Sequence, residues 1–158
     1  MLALIRIFSI TLALVVICIF ACVFSLLQPL SRNRVFFTAK ILGKVSKLLG
    51  LTVEVRLSES AKNIGPVVYV ANHQSGLDMF TISSAVQPNT VTVGKKSLKW
   101  IPFFGQMYWL TGNILIDRVN TNKAMGTIAQ TVNKIKDKSL SVWLFPEGTR
   151  SNGRGLLR

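Results

Sequence analysis

Twenty-one consecutive residues, Ile7 to Leu27, carry no charge. As a helix rising 1.5 Å per residue, that run is about 30 Å long, the thickness of a bilayer's hydrocarbon core. A cleaved signal peptide has a shorter apolar core and a small-x-small site behind it. This run is longer and its site is weak, so the sequence predicts an uncleaved membrane anchor over residues 1–30. Arg6 stands alone before the run, whereas Arg32, Arg34, Lys40, Lys44 and Lys47 follow it. The positive-inside rule then places everything beyond residue 30 on the cytoplasmic side.

The charge of the whole chain agrees. A formal net charge of +13 combined with 49% hydrophobic residues describes a protein that lives against an anionic surface. Nucleic acid and membrane both satisfy that description. The apolar N-terminus selects membrane lipids, so no nucleic acid partner is expected. The two cysteines, Cys18 and Cys22, are one helical turn apart inside the apolar run and predict no disulfide framework. With one histidine and no further cysteine, no metal site is expected.

Residues 34–49 read as an amphipathic helix at the membrane interface. Lys40, Lys44 and Lys47 form one basic face, and Gly50 is a plausible stop. The plainer reading is a helix packed on the domain with a solvated lysine face. From residue 51 the period changes. Leu51 to Leu57 alternates with period two, as a half-buried strand does. Residues 66–71 and 140–145 are short continuous apolar runs that read as buried strands. Residues 90–93 and 113–116 read as further strands, and 77–86 and 121–137 as helices. Residues 97–112 are rich in aromatics and show no clear period. The order β-β-α-β-loop-β-α-β predicts an α/β domain over residues 51–158, with a mixed, largely parallel sheet flanked by helices.

Four polar clusters begin where predicted strands end. They are Asn72-His73, Gly94-Lys95-Lys96, Asp117-Arg118 and Pro146-Glu147-Gly148-Thr149-Arg150. Ligands of open α/β sheets bind at the carboxyl ends of strands, so parallel strands would gather these clusters at one edge. His73 is the only histidine, and Asp78 follows it by five residues. Ser75-x-x-Asp78 has the form of a capping box opening helix 77–86. Such a cap turns the Asp78 carboxylate back toward His73. There it can hold one ring N–H and leave the other nitrogen free to take a proton from a hydroxyl. Helix capping alone is the competing reading for Asp78, and it is the preferred reading for Ser75. Lys95, Arg118 and Arg150 sit near glycines and are suited to a phosphate, with Arg pairing bidentately. The plainer reading pairs Arg150 with Glu147 and leaves Lys95 and Lys96 solvated. Trp100, Pro102-Phe103-Phe104-Gly105, Tyr108 and Trp109 read as core packing, or as an acyl-chain or membrane contact.

These motifs resemble the glycerolipid acyltransferases. Asn72-His73-x-Ser75-x-x-Asp78 is similar to that family's His-x4-Asp motif. Gly112 to Arg118 is similar to its second motif, and Phe145 to Ser151 (FPEGTRS) to its third. Val93 to Gly105 (VGKKSLKWIPFFG) also fits, and within the family the bacterial members that acylate lysophosphatidic acid are most alike. The resemblance implies transfer of an acyl group from acyl-CoA or acyl-carrier protein to the sn-2 hydroxyl of lysophosphatidic acid, giving phosphatidic acid. No cofactor is implied. His73 would be the general base and Asp78 its orienter. Lys95, Arg118 and Arg150 would hold the phosphate, and Gly148 and Thr149 would shape that pocket. Glu147 would contact the acceptor or brace Arg150. The bacterial cytoplasmic membrane is the implied location. Family members continue past the third motif, so the resemblance also implies an acyltransferase domain incomplete at its C-terminus. Two alternatives follow: another acceptor, such as glycerol 3-phosphate or a different lysolipid, or a non-catalytic fragment that binds anionic lipid.

Overall fold

The computed structural model describes residues 1–61, 64–117, 126, 132 and 135–155, the side chain of Leu2 apart. Four strands form one sheet: β1 (Val68–Val70), β2 (Thr90–Lys95), β3 (Ile114–Ile116) and β4 (Ser141–Leu144). Their spatial order is β1-β4-β2-β3, and all three pairings are parallel. Each strand is dominated by the β-branched and aromatic residues that suit a pleated surface. The segment from β1 to β2 contains α3 (Asp78–Thr81), continued as a 3₁₀ turn over Ile82–Ala85. The segment from β2 to β3 contains a 3₁₀ turn over Lys96–Trp100 and then α4 (Phe104–Leu110). β4 then enters between β1 and β2. The sheet is therefore α/β, and every strand points its carboxyl end to the same edge.

The N-terminal helix α1 (Leu2–Leu27) covers the predicted apolar run, and by length and composition it is able to cross a membrane. It is not a free-standing tether. Ile17, Cys18 and Ala21 are buried together with Leu42, Val45, Phe80 and Met107, and Ile10, Leu14 and Cys22 pack against that cluster. These α1 positions recur every three or four residues and make one helical stripe. The opposite face of α1 stays exposed, with Phe8, Leu12, Val16, Phe20 and Val23 all uncovered.

Helix α2 (Arg34–Lys44) is followed by a 3₁₀ turn over Val45–Leu49, which ends at Gly50 in the left-handed conformation (φ 74°). Gly adopts that conformation without a Cβ clash. Val35, Thr38, Ala39, Leu42 and Gly43 are buried, and Lys40 Nζ donates to the Ser84 carbonyl at 2.7 Å. The helix thus packs on the domain, and Lys40 belongs partly to that packing.

Three sequence expectations change. Leu51 to Leu57 alternates but forms no strand. Alternation records a preference for a half-buried surface, but a strand also needs a neighbour to accept its ladder bonds. Here Val55 and Leu57 are each 40% exposed, and Arg56 pairs with Glu54 in solvent. Residues 66–71 do form a strand, but Val68 and Val70 are exposed rather than buried. β1 lies at the edge of the sheet, and its covered side chain is Tyr69, which stacks on Trp143 at 5.3 Å. The aperiodic stretch 97–112 contains α4, in which Gly105 and Met107 are buried while Trp109 is 66% exposed. The helix expected at 121–137 falls mostly outside the described residues, and Ile135 to Asp137 are helical.

Candidate active site

The sheet register sets where the site residues stand. Val70 is level with Leu144 and Val93 with Ile114, and the pairing of Thr92 with Trp143, one residue back, puts the two pairs in one row. His73, Glu147 and Asp117 each lie three residues beyond that row, and Lys95 lies two beyond it. The expected gathering at one edge is therefore met for the described members of the four clusters. Because β4 is the direct neighbour of β1, the loop of residues 145–150 lies beside His73. Lys95 and Asp117 stand one and two strands further along.

His73 and Asp78 meet. His73 Nδ1 is 2.7 Å from Asp78 Oδ2. An ionised carboxylate only accepts, so Nδ1 carries the proton and Nε2 presents its lone pair. Among the described residues no group is bonded to Nε2. The same Asp78 oxygen also accepts from the backbone N–H of Gln74 at 2.7 Å and of Ser75 at 3.1 Å. Ser75 Oγ accepts from the Leu77 N–H at 3.0 Å rather than from Asp78. The capping box is therefore realised on the carboxylate side only, and it aims Asp78 at the ring. Both side chains are largely sheltered, 23% exposed for His73 and 12% for Asp78.

Residues 145–152 close around the histidine. The Phe145 ring stacks on the imidazole with centroids 4.5 Å apart and planes 26° apart. Glu147 Oε1 accepts from the His73 backbone N–H at 3.0 Å. The Ser151 N–H donates to the His73 carbonyl at 2.8 Å, and the Asn152 N–H to the Gln74 carbonyl at 2.9 Å. Gly148 turns the loop at φ 63°, and its N–H donates to the Phe145 carbonyl at 3.0 Å. Thr149 and Arg150 are exposed at the tip, and Arg150 makes no ion pair among the described residues.

Lys95 ends β2 with its side chain exposed. The glycine before it is closely packed, since a Cβ on Gly94 would lie 2.7 Å from the Tyr108 hydroxyl and 2.8 Å from Leu98 Cδ1, so both side chains would have to shift. Tyr108 in turn shares a 2.7 Å hydrogen bond with Thr92 Oγ1 on the same strand. Lys96 pairs with Asp117 at 3.3 Å. Arg118 lies outside the described residues.

Sequence reasoning placed Phe145 in the third motif but gave it no role, and it missed the backbone bridge from Ser151 and Asn152. The pairing partners of Glu147 are tertiary and carry no signature in spacing.

In chemical terms the edge offers a sheltered imidazole with an oriented lone pair, held by a carboxylate, next to a glycine turn bearing an exposed guanidinium. Residues 52–158 match the family model described as Acyltransferase. The chain is 53% identical over 143 residues to the 1-acyl-sn-glycerol-3-phosphate acyltransferase of Escherichia coli, covering 90% of this chain and 58% of that protein. It is 47% identical over 157 residues to the protein of the same name from Haemophilus influenzae, covering 99% of this chain and 65% of that one. The chain thus spans about three-fifths of the length of these relatives. The crystal structure of the 1-acyl-sn-glycerophosphate (LPA) acyltransferase PlsC from Thermotoga maritima superposes with a TM-score of 0.73 at 27% identity. That match covers 99% of this chain and 63% of the other. By sequence and by fold alike, the chain belongs to the acyltransferase family.

Proposed function

We propose that this edge transfers an acyl group from acyl-CoA or acyl-carrier protein to the sn-2 hydroxyl of 1-acyl-sn-glycerol 3-phosphate, forming phosphatidic acid. The observation that carries the reading is the 2.7 Å contact between His73 Nδ1 and Asp78 at the carboxyl edge of a parallel sheet, with Nε2 unbonded among the described residues. His73 Nε2 takes the hydroxyl proton as the oxygen attacks the thioester carbonyl. Asp78 stabilises the imidazolium that forms. Collapse of the tetrahedral intermediate breaks the C–S bond, and the departing thiolate recovers the proton from His73. The thioester is already activated, so no covalent enzyme intermediate is needed. Arg150, Thr149 and Gly148 receive the acceptor's phosphate beside the histidine, with Lys95 and Arg118 as further cations. The apolar helix α1 and the excess of positive charge after it favour the bacterial cytoplasmic membrane, with the sheet on the cytoplasmic side.

Acyl transfer to lysophosphatidic acid, measured in membranes containing this chain, tests the reading. His73→Ala is expected to lower the rate by about 10² to 10⁴-fold, the usual contribution of a positioned general base. Equal rates for mutant and wild type would remove His73 from the chemistry. Competing glycerol 3-phosphate and other lysolipids against lysophosphatidic acid identifies the acceptor.

A second, non-catalytic reading rests on a different place. A cleft of about 560 Å³ is lined by Lys40, Lys44 and Lys47 between α2, Gly50 and Ser84, away from His73. An anionic-lipid binder would use this cleft and would tolerate loss of both His73 and Asp78. Binding to phosphatidate liposomes that falls with salt and ignores those two residues, in a chain without transferase activity, would favour it.

A further inference from the structure

The carboxyl edge holds a second basic concavity, which shares Lys95 with the cations assigned to the acceptor. It is a cleft of about 410 Å³ lined by Lys95, Lys96, Lys99, Trp100, Ile116 and Asp117. Three lysines face one aspartate there. Asp117 draws Lys96 toward β3, the strand at the far side of the sheet from β1. Lys99 has no acidic partner among the described residues, and its ammonium lies over the Trp100 ring, 4.4 Å from the centroid. Trp100 is nevertheless 76% exposed, so the indole keeps open surface for another planar group.

Distance separates the two halves of the substrate pair. In the acceptor, the sn-2 oxygen is four bonds from phosphorus. A hydroxyl on His73 Nε2 therefore puts its phosphate beside the 148–150 turn on the adjacent strand. Lys96 and Lys99 follow β2, two strand spacings from β1, about 10 Å across the sheet, and Asp117 is about 14 Å across. Lys95 can serve the acceptor's side, while Lys99 and Trp100, further along the turn, suit a donor whose phosphates sit at the far end of a long pantetheine arm. Coenzyme A carries a pyrophosphate, a 3′-phosphate and an adenine. Lysines are point-charge partners for phosphate, and an exposed indole is a stacking platform for a base. The cleft is also within the size range of small-molecule sites.

We propose that Lys96, Lys99 and Trp100 form the subsite for the 3′-phospho-adenosine diphosphate end of an acyl-CoA donor. The inference rests on the acyl-transfer reading, but its test does not require turnover. Binding of free coenzyme A to the full chain in detergent is measured by equilibrium dialysis, with lysophosphatidic acid binding as the parallel readout. Lys99→Ala and Trp100→Ala are each expected to weaken coenzyme A about tenfold or more. Both should leave lysophosphatidic acid within about twofold, and Lys99→Arg should restore coenzyme A binding by keeping the charge. Dephospho-coenzyme A should bind more weakly than coenzyme A to the wild type, and the difference should shrink in Lys99→Ala.

Unchanged coenzyme A binding in both alanine variants overturns the proposal. It is equally overturned if the variants lose only acyl-carrier protein, which makes the cleft a protein-docking face. Loss only of binding to phosphatidylglycerol vesicles makes it a membrane contact and overturns it too. Failure of the His73 activity test with retained, Lys99-dependent coenzyme A binding would remove the chemistry and leave the subsite standing.

Discussion

Glu147 accepts a hydrogen bond from the backbone N–H of His73 at 3.0 Å, so a side chain from the loop after β4 holds the main chain of the loop after β1. The two loops are further tied by Ser151 and Asn152 donating to the carbonyls of His73 and Gln74. The histidine is thus placed from both sides of its own peptide, and Glu147 acts on it as a positioning residue.

Glu147→Gln keeps an acceptor oxygen and is expected to retain transfer within about tenfold. Glu147→Ala leaves the His73 N–H without its charged partner, a loss of about 1.5–3 kcal/mol, and should cost about 10 to 100-fold in kcat/KM. Steady-state assays of both variants in membranes decide it. If Ala and Gln fall equally, the carboxylate charge, and not the hydrogen bond to His73, is what matters.

Asp78→Asn places an amide where one oxygen now accepts from the His73 ring and from the N–H groups of Gln74 and Ser75. The ring loses its fixed tautomer and its counter-charge together. A fall in kcat of about 10² to 10⁴-fold, with the KM for acceptor little changed, is expected. An Asn variant with wild-type kcat would confine Asp78 to helix capping.

Phe145 covers the His73 ring at 4.5 Å. Phe145→Ala removes that face and frees the imidazole to rotate, while Phe145→Tyr preserves the stack. Transfer should fall about tenfold in Ala and return in Tyr, since aromatic pairs contribute about 0.5–1.5 kcal/mol beyond their buried area. Equal activities of the two variants would mean that stacking does not orient the base.

Gly105→Ala tests packing away from the chemistry. A Cβ there would run into the Lys99 carbonyl and lie 2.6 Å from that of Leu98. Main chain cannot retreat as a side-chain tip can, so α4 must move off the turn that carries Lys99 and Trp100. A destabilisation of about 1–3 kcal/mol, read as a lower Tm in detergent, is expected. A Tm equal to the wild type would show that α4 and the turn are not tightly joined.

Much of this was legible in the chain. Each polar cluster follows a short apolar run, and parallel pairing follows from the alternation of strands and helices, so the shared edge could be inferred. The fit between His73 and Asp78 was legible because it is local, five residues apart within one capped turn. What escaped depended on neighbours distant in sequence. Leu51 to Leu57 carries a strand's alternation, yet no strand of the described sheet lies beside it. Val68 and Val70 look buried in sequence but stand on an edge. In α4 the helical period is hidden because Trp109, on the uncovered side, is as apolar as Met107 on the buried one. Glu147 pairs with a main-chain group, and main chain is invisible to any reading of residue types.

The burial of Ile17, Cys18 and Ala21 within the domain's own core has a consequence for assembly in the cell. Chains are synthesised from the N-terminus, so the apolar helix is made before the residues it packs with. Leu42, Val45, Phe80 and Met107 complete their cluster only against that helix. The helix is thus a wall of the domain's interior as well as a candidate membrane anchor. Deleting the helix to obtain a soluble form would remove part of the fold along with the tether.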